Sequence, residues 1–174
     1  YKVRQGLDLL SKAGILYKIH HSNAYAAPIA AGKSLKKFKL FFFDIGLLQR
    51  LLGLNIADWL LDDLQSQYNG KIAEQFVAQE LIAYGNFNIP AELYYWHREA
   101  KSSNAEVDFI IEKHGKIIPV EVKSGNKGSL KSMNLYLETH NASKGLKISA
   151  SASADFDNYK QISFYEIESW VKGE

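Results

Sequence analysis

The segment Glu106-Val-Asp-Phe-Ile-Ile-Glu-Lys-His-Gly-Lys-Ile-Ile-Pro-Val-Glu-Val-Lys123 has the pattern of a β-hairpin with a tight turn. His114 and Gly115 supply the short polar residue and the glycine that a two-residue hairpin loop needs for positive backbone φ. The register that follows from this loop pairs Lys113 with Lys116, Phe109 with Val120, Asp108 with Glu121, Val107 with Val122, and Glu106 with Lys123.

The predicted hairpin has one apolar face and one charged face, because side chains alternate along a strand. The apolar face contains Val107, Phe109, Ile111, Ile118, Val120 and Val122. The charged face contains Glu106, Asp108, Glu121 and Lys123. We expect the first face to be core and the second to hold a functional site.

Asp108 and Glu121 are expected to lie opposite each other, with Cβ atoms about 5 Å apart, where like charges are destabilising unless something neutralises them. A divalent cation would do so, since Mg²⁺ is commonly held by one or two carboxylates, waters and a phosphate substrate. Lys123, two residues from Glu121, can then orient a water or balance charge on a phosphoryl oxygen. The structural alternative is an ion pair between Glu106 and Lys123, with the two other acids in solvent.

Asp108 followed by Glu121-Val-Lys123 resembles the D…(D/E)-X-K signature of the PD-(D/E)XK nuclease-like superfamily. The segment Gly70-Lys-Ile-Ala-Glu-Gln-Phe-Val-Ala-Gln-Glu-Leu81 resembles the helix that precedes the sheet in that superfamily. More narrowly, four motifs are similar to the C-terminal domain of a group of prokaryotic AAA-type ATPases: Lys39-Leu-Phe-Phe-Phe-Asp-Ile-Gly-Leu-Leu48, Tyr95-Trp-His-Arg98, Glu106-Val-Asp-Phe109 and Glu121-Val-Lys-Ser-Gly125.

The resemblance implies catalytic roles for four residues. Asp108 and Glu121 would bind Mg²⁺ or Mn²⁺, Lys123 would assist hydrolysis of a phosphodiester in DNA, and Glu74 would be the auxiliary carboxylate. It also implies an N-terminal ATPase module in the same polypeptide. The sequence departs from the pattern at Val107, where the proline that names the motif would stand.

Three further residues are weaker candidates for the site. Helical spacing puts Glu74 on the flank of the buried stripe and Glu80 near its middle, so Glu80 is a second candidate for the auxiliary acid. The alternative for both is an ordinary helix glutamate with a salt bridge. His97 and Arg98 are candidates for contact with the acidic site or a substrate phosphate.

Composition excludes several classes of protein. The 174 residues, 47% of them hydrophobic, can bury a full core. A net charge of +2 is too small to predict nucleic-acid binding by itself. The chain has no cysteine, which excludes disulfides and thiolate metal sites and fits a cytoplasmic location. No apolar run approaches the roughly eighteen residues of a membrane span, and no signal peptide is recognisable. The chain begins at Tyr1 and is expected to be a fragment of a longer protein.

We expect an α/β (α+β) fold with two parts. A winged-helix-like module is predicted for residues 1–55, from a helix, a strand, a loop and a second strand that ends at the N-cap Asp44. A restriction-endonuclease-like PD-(D/E)XK core with the order α-β-β-β-α-β is predicted for residues 56–174. Its first helical stretch is expected from Asp58 to about Gln67, before the helix that begins near Gly70.

Other signals carry less weight. Ala27-Pro-Ile-Ala-Ala-Gly-Lys-Ser34 mimics a P-loop but lacks the first glycine and the following helix. A basic patch formed by Lys33, Lys36, Lys37 and Lys39 could grip a phosphate backbone or be solvated. His20 and His21 are adjacent on a predicted strand, so they point to opposite faces and cannot easily share a zinc ion.

Two functional hypotheses follow. The first is an Mg²⁺-dependent phosphodiesterase (nuclease) acting on DNA. The second is a non-catalytic interaction or regulatory domain of an ATPase that keeps the nuclease scaffold. The set of Asp108, Glu121 and Lys123 favours the first, and the modest charge favours the second.

Overall fold

The computed structural model describes residues 2–54, 62–86, 88–89, 92–99, 104–125 and 128–173. The α-helices within these residues are α1 (Lys2–Lys12), α2 (Ile45–Leu51), α3 (Asp62–Ala83), α4 (Lys131–His140) and α5 (Ile167–Lys172). The strands are β1 (Leu16–Ser22), β2 (Lys33–Phe42), β3 (Tyr94–His97), β4 (Glu106–Lys113), β5 (Lys116–Lys123), β6 (Gly145–Ser149), β7 (Ala154–Asp155) and β8 (Tyr159–Ser163).

In the described part of the chain, the strands form one mixed sheet of eight strands in the order β2-β1-β3-β4-β5-β6-β8-β7. Four of the neighbouring pairs are antiparallel and three are parallel. From α3 to β6 the elements follow the predicted order of helix, three strands, helix and strand. The fold is therefore of the mixed α/β type.

The β4–β5 hairpin has the predicted turn. His114 and Gly115 have φ angles of 52° and 72°, and Lys113 pairs with Lys116. The ladder continues in the predicted register as far as Phe109, which pairs with Val120. The pairs predicted beyond it, Asp108 with Glu121, Val107 with Val122 and Glu106 with Lys123, are not among the paired positions of this ladder.

The predicted core face is confirmed for Phe109, Val120 and Val122, but the opposite face is also covered, so the prediction of a charged second face is wrong. Phe109, Val120 and Val122 pack with residues of α3, whereas Ile110 and Ile117 pack with Tyr136 of α4 on the other face. A sheet covered by helices on both sides buries apolar residues on both sides.

Strict alternation of side chains assigns Val107 to the wrong face of the sheet. It belongs to the cluster that contains Ile110, and not to the cluster that contains Phe109. The pairing with β3 shifts between Tyr94, which faces Ile110, and Trp96, which faces Val107. Between these pairs, Asp108 and Phe109 of β4 lie opposite the single residue Tyr95 of β3, and such a bulge interrupts the alternation next to Asp108.

The first two strands belong to the same sheet as β3 to β8. β1 and β2 form an antiparallel pair, and β1 joins β3 through the parallel pairs His20 with Tyr94 and His21 with Tyr95. The winged-helix-like module predicted for residues 1–55 is not confirmed and stays a prediction. The domain boundary predicted at residues 55 and 56 lies outside the described residues and stays a prediction.

α3 is one helix over Asp62–Ala83, so the helix expected to begin near Gly70 begins earlier. The start predicted at Asp58 lies outside the described residues. α3 also fixes the end of β2: the Gln75 side chain donates Nε2–H to the carbonyl of Phe42 at 2.6 Å and accepts the N–H of Phe42 at 2.9 Å. Gln79, which follows Gln75 by four residues on α3, accepts the N–H of Ile45 through its side-chain oxygen at 2.9 Å.

The predicted N-cap of α2 is confirmed, because the Asp44 side chain accepts the N–H of Leu47 at 3.1 Å. Within the described residues, no helix combines the length and apolar character required to cross a bilayer.

Candidate active site

Asp108 and Glu121 lie on the two strands of the hairpin, and Asp108 is linked to β5 by its side chain. Its Oδ2 accepts the backbone N–H of Val122 at 2.8 Å. Burial raises the pKa of Asp108, while the Val122 hydrogen bond and the charges of Lys39 and Lys123 oppose that rise. The acid of β4 is therefore held close to the residues of the E-X-K motif on β5.

Glu121 is buried, with 5% of its surface exposed. Its Oε1 accepts a hydrogen bond from Lys123 Nζ at 2.6 Å. Its Oε2 is buried and has no hydrogen-bond partner. Burial and the field of Asp108 raise the pKa of Glu121 to about 7, in spite of Lys123. A buried carboxylate oxygen with free lone pairs is costly unless a donor or a cation reaches it.

Glu74 of α3 is half-buried and belongs to the same electrostatic cluster. Burial and the field of Asp108 raise its pKa to about 7, while Lys39 and Lys71 oppose the rise. Glu74 also contributes to the raised pKa of Glu121. The structure thus brings the helix acid of the sequence prediction near the two strand acids.

The three carboxylates do not converge on one point. In the described part of the chain, the one group of three or more potential ligand residues whose ligand atoms all lie within 4.8 Å of one another is His21, His97 and Glu99. The structure therefore does not present Glu74, Asp108 and Glu121 as three ready ligands of one ion. The residues that could hold a cation here are the two strand acids.

Lys39 is a site residue that sequence analysis placed only in a basic patch. It lies on β2, and its Nζ is 2.5 Å from Glu106 Oε1 and 4.9 Å from the centre of the Tyr95 ring. Burial acts to lower the pKa of Lys39, but the ion pair with Glu106 and the fields of Glu74 and Asp108 raise it overall. The ammonium therefore compensates part of the acidic charge at this site.

A groove of about 440 Å³ runs beside Glu74 between β2, α2 and α3. Lys39, Lys71, Glu74 and Glu106 line its polar part. Phe41, Leu48 and Leu52 are among the residues that line its apolar part. The groove therefore reaches Glu74, which is one member of the acid cluster formed by Glu74, Asp108 and Glu121.

Lys147 was not predicted as a site residue either. It pairs in register with Glu121 across the parallel strands β5 and β6, and 6% of its surface is exposed. Side chains at paired positions point to the same face of a sheet, so a buried lysine lies beside the buried glutamate. The alternation Leu146-Lys-Ile-Ser149 is the local signal, but it does not indicate which residue on β5 the lysine faces.

The basic patch is largely neutralised by acids from the β3–β4 region. The ion pairs are Lys33 Nζ with Glu92 Oε1 at 2.6 Å, Lys37 Nζ with Glu99 Oε1 at 2.5 Å and the Lys39–Glu106 pair. The segment that mimics a P-loop contains a 3₁₀ turn over Ile29–Gly32 followed directly by β2, so it lacks the helix of a P-loop.

The contacts observed for the weaker candidates are with residues other than Glu74, Asp108 and Glu121. Glu80 is half-buried and hydrogen-bonds Tyr84, whose pKa the fields of Glu80 and Glu168 raise. Arg98 is exposed, and its backbone N–H donates to Ala105 at 2.9 Å. His97 pairs with Glu106 across β3 and β4, and its ring stacks on His21 with centroids 4.4 Å apart.

A comparison with family models identifies the chain's relatives. A family described as "Domain of unknown function (DUF4143)" matches residues 69–168, which is more than half of the 174 residues. The chain belongs to the DUF4143 family. No curated protein and no solved structure matches it.

The DUF4143 match covers the acid cluster but not all of its surroundings. Glu74, Asp108, Glu121 and Lys123 lie within the matched residues, whereas His21 and Lys39 precede them. The part of the chain outside the DUF4143 match therefore contributes β1, β2 and one of the two lysines that act on Asp108.

Proposed function

We propose that the chain is a divalent-metal-dependent phosphodiesterase acting on DNA, with a PD-(D/E)XK nuclease-like core attached to an AAA-type ATPase. The observation that supports this most directly is the buried Oε2 of Glu121, which has no hydrogen-bond partner although Lys123 occupies Oε1. A cation would supply the missing partner, and oxygen donors suit Mg²⁺ or Mn²⁺.

Asp108 and Glu121 would hold this ion. When bound, Mg²⁺ or Mn²⁺ would polarise a phosphoryl oxygen and lower the pKa of a bound water. The bond from Asp108 Oδ2 to the Val122 N–H fixes the orientation of one ligand carboxylate relative to the other.

Lys123 is the positioning and charge-stabilising group of the proposal. Its Nζ lies 2.6 Å from Glu121 Oε1, so a phosphate oxygen or water next to that carboxylate lies within reach of the ammonium. A preorganised cation at this place stabilises the negative charge that develops on a phosphate during hydrolysis. Glu74 acts as the auxiliary carboxylate and orients a water near the ion.

The groove beside Glu74 is the proposed path of the DNA strand. Lys39 and Lys71 lie along it, and their charges attract a phosphate backbone. Lys39 is partly neutralised by Glu106, which limits the strength of this attraction. We therefore expect weak, salt-sensitive DNA binding by the chain alone, with tighter binding in the complete ATPase.

The experiment that tests this function measures binding and cleavage separately. Thermal unfolding of wild type, Asp108→Asn and Glu138→Gln is followed with and without Mg²⁺ and Mn²⁺. Glu138 is an exposed acid on α4 and is the matched control. The same proteins are incubated with single-stranded, double-stranded and branched DNA. Metal stabilisation and cleavage that are lost only in Asp108→Asn support the proposal, and identical melting of wild type with and without metal counts against it.

The second candidate is a non-catalytic interaction or regulatory domain of the ATPase. The ion pairs that neutralise Lys33, Lys37 and Lys39 favour it, because they remove much of the surface that would grip DNA. In that case Glu121 and Asp108 hold a structural cation or none. DNA cleavage is absent with either metal, while a metal-dependent rise in melting temperature remains compatible with this function.

A further inference from the structure

A second group of ligand-type side chains lies on β1 and β3, outside the acid cluster. His21 is on β1, His97 is the last residue of β3, and Glu99 follows two residues later. One ligand atom of each lies within 4.8 Å of the others. His21 has 1% of its surface exposed, and Glu99 is exposed. The buried His21 would anchor an ion, and the exposed Glu99 leaves the ion a path from solvent.

The orientation of the His21 ring is the second observation. Its Nε2 lies 3.3 Å from the backbone carbonyl of His97. A carbonyl oxygen only accepts hydrogen bonds, so Nε2 carries the proton in this contact. Nδ1 then presents its lone pair, and it lies 3.8 Å from Glu99 Oε1. Metal-binding histidines usually donate their other ring N–H to a carbonyl or carboxylate in this way.

We propose that His21, His97 and Glu99 bind a divalent transition-metal ion such as Zn²⁺ or Ni²⁺. Two imidazoles and one carboxylate suit these ions, whereas Mg²⁺ prefers oxygen ligands alone. Metal–ligand distances of about 2.0–2.2 Å require the three donors to move slightly closer together. The exposed Glu99 side chain is free of the packing that would resist such a movement.

Lys37 competes with the metal at this site. Its Nζ is 2.5 Å from Glu99 Oε1, so the carboxylate already has a cationic partner. Metal binding requires Glu99 to share that oxygen or to offer the other one. Removing the lysine charge should therefore strengthen metal binding, which is the opposite of what removal of a ligand does.

The site also has a structural consequence. β1 and β3 are joined by only two paired positions in the described residues, His20 with Tyr94 and His21 with Tyr95. A metal held by His21 and His97 bridges the same two strands. We infer that the ion reinforces the attachment of the β1–β2 pair to the rest of the sheet.

The test uses the 174-residue chain after removal of metal with a chelator. Zn²⁺, Ni²⁺ and Co²⁺ are titrated by calorimetry and thermal unfolding, and Co²⁺ is also followed by its visible absorption, which reports the number and geometry of its ligands. The variants are His97→Ala, Glu99→Gln and Lys37→Met. His20→Ala is the matched control, because His20 is the neighbouring histidine on β1 and contacts the carbonyl of Ser34. Asp108→Asn alters the acid cluster alone and so tests whether the measured metal binding belongs to that cluster instead.

We expect His97→Ala to lower Zn²⁺ affinity by at least about 10–100-fold, the loss that mutation of an outer-shell partner of a metal ligand already causes. Glu99→Gln should lower it by a smaller factor, and Lys37→Met should raise it severalfold. His20→Ala and Asp108→Asn should leave it unchanged. The proposal is overturned if wild type binds none of the three ions, or if His97→Ala binds them as wild type does. Weaker Zn²⁺ binding by Lys37→Met would overturn the assignment of Glu99 as a ligand.

Discussion

Asp108 accepts the backbone N–H of Val122 through Oδ2 at 2.8 Å, so the acid of one strand is fixed to the neighbouring strand between Glu121 and Lys123. This bond makes the choice of substitution important. An asparagine keeps an oxygen that can accept the N–H, whereas an alanine leaves it without that partner.

We expect Asp108→Ala to unfold more easily than Asp108→Asn by about 1–3 kcal/mol, the usual penalty for an unsatisfied buried group. Both variants should lose the stabilisation that Mg²⁺ gives to wild type. Urea unfolding at fixed pH, with and without Mg²⁺, measures both effects. Full Mg²⁺ stabilisation of Asp108→Asn would argue that Asp108 is not a ligand.

The raised pKa of Glu121 predicts how stability changes with pH. Its value is about 7 in the folded protein against an ordinary 4.5, so between these values the folded state binds more protons than the unfolded state. The contribution of this group is therefore fully present below about pH 4.5 and is lost as the pH rises through 7. Without divalent metal, Glu121→Gln should be more stable than wild type at pH 8, by on the order of 1–3 kcal/mol.

The advantage of Glu121→Gln should shrink towards pH 5, where the wild-type carboxyl is already protonated. Chemical unfolding in a chelator at several pH values between 5 and 8 tests this, with Glu138→Gln as the exposed control. A constant difference between Glu121→Gln and wild type across that range would contradict the raised pKa.

Lys123→Met separates catalysis from metal binding. The ammonium is bonded to Glu121 Oε1 and competes with a cation for that carboxylate. We expect metal stabilisation to be kept or increased in this variant, while DNA cleavage falls by about 100-fold or more because charge stabilisation on the phosphate is lost. Single-turnover cleavage at saturating metal is the measurement. A variant that still cleaves at the wild-type rate would remove Lys123 from the proposed mechanism.

The hydrogen bonds of Gln75 lead to a prediction about stability that does not involve the acidic residues. Its side chain satisfies both the N–H and the carbonyl of Phe42. Gln75→Leu leaves two backbone groups without that partner, and at about 1–3 kcal/mol for each we expect a loss of at least 2 kcal/mol. Gln79→Leu removes a single bond to Ile45 and should have about half the effect. Equal losses in the two variants would show that packing, rather than hydrogen bonding, determines the result.

The turn of the hairpin gives a further prediction. Gly115 has a φ of 72°, which is strained for residues with a Cβ, so Gly115→Ala should destabilise the protein by about 1 kcal/mol. Gly70 lies in α3 with open space around it, and Gly70→Ala should stabilise the helix by about 0.5–1 kcal/mol. Thermal unfolding of the two variants should therefore shift in opposite directions.

Local features of the sequence predict local parts of this structure well. The His114-Gly115 turn sets the hairpin register, and Asp44 caps α2 as expected, because each depends on residues a few positions apart. The prediction of the face on which Val107 lies is wrong. That face depends on the bulge in the pairing of β4 with β3, which lies outside the hairpin.

The surroundings of the acids depend on contacts between distant segments, so the sequence does not reveal them. Lys39 reaches Glu106 from the edge strand β2, and Lys147 is placed beside Glu121 by the parallel pairing of β5 with β6. The argument that adjacent histidines cannot share an ion holds for His20 and His21. It misses the contact of His21 with His97, which only the β1–β3 pairing creates.

The joining of β1 to β3 has a consequence for the evolution of this protein. β1 hydrogen-bonds to β3, so loss of β1 would expose backbone N–H and carbonyl groups of β3. The segment that contains β1 therefore cannot be exchanged between proteins as an independent unit. Recombination that separates residues 1–54 from the remainder should therefore yield aggregation-prone halves, and the two should be inherited together.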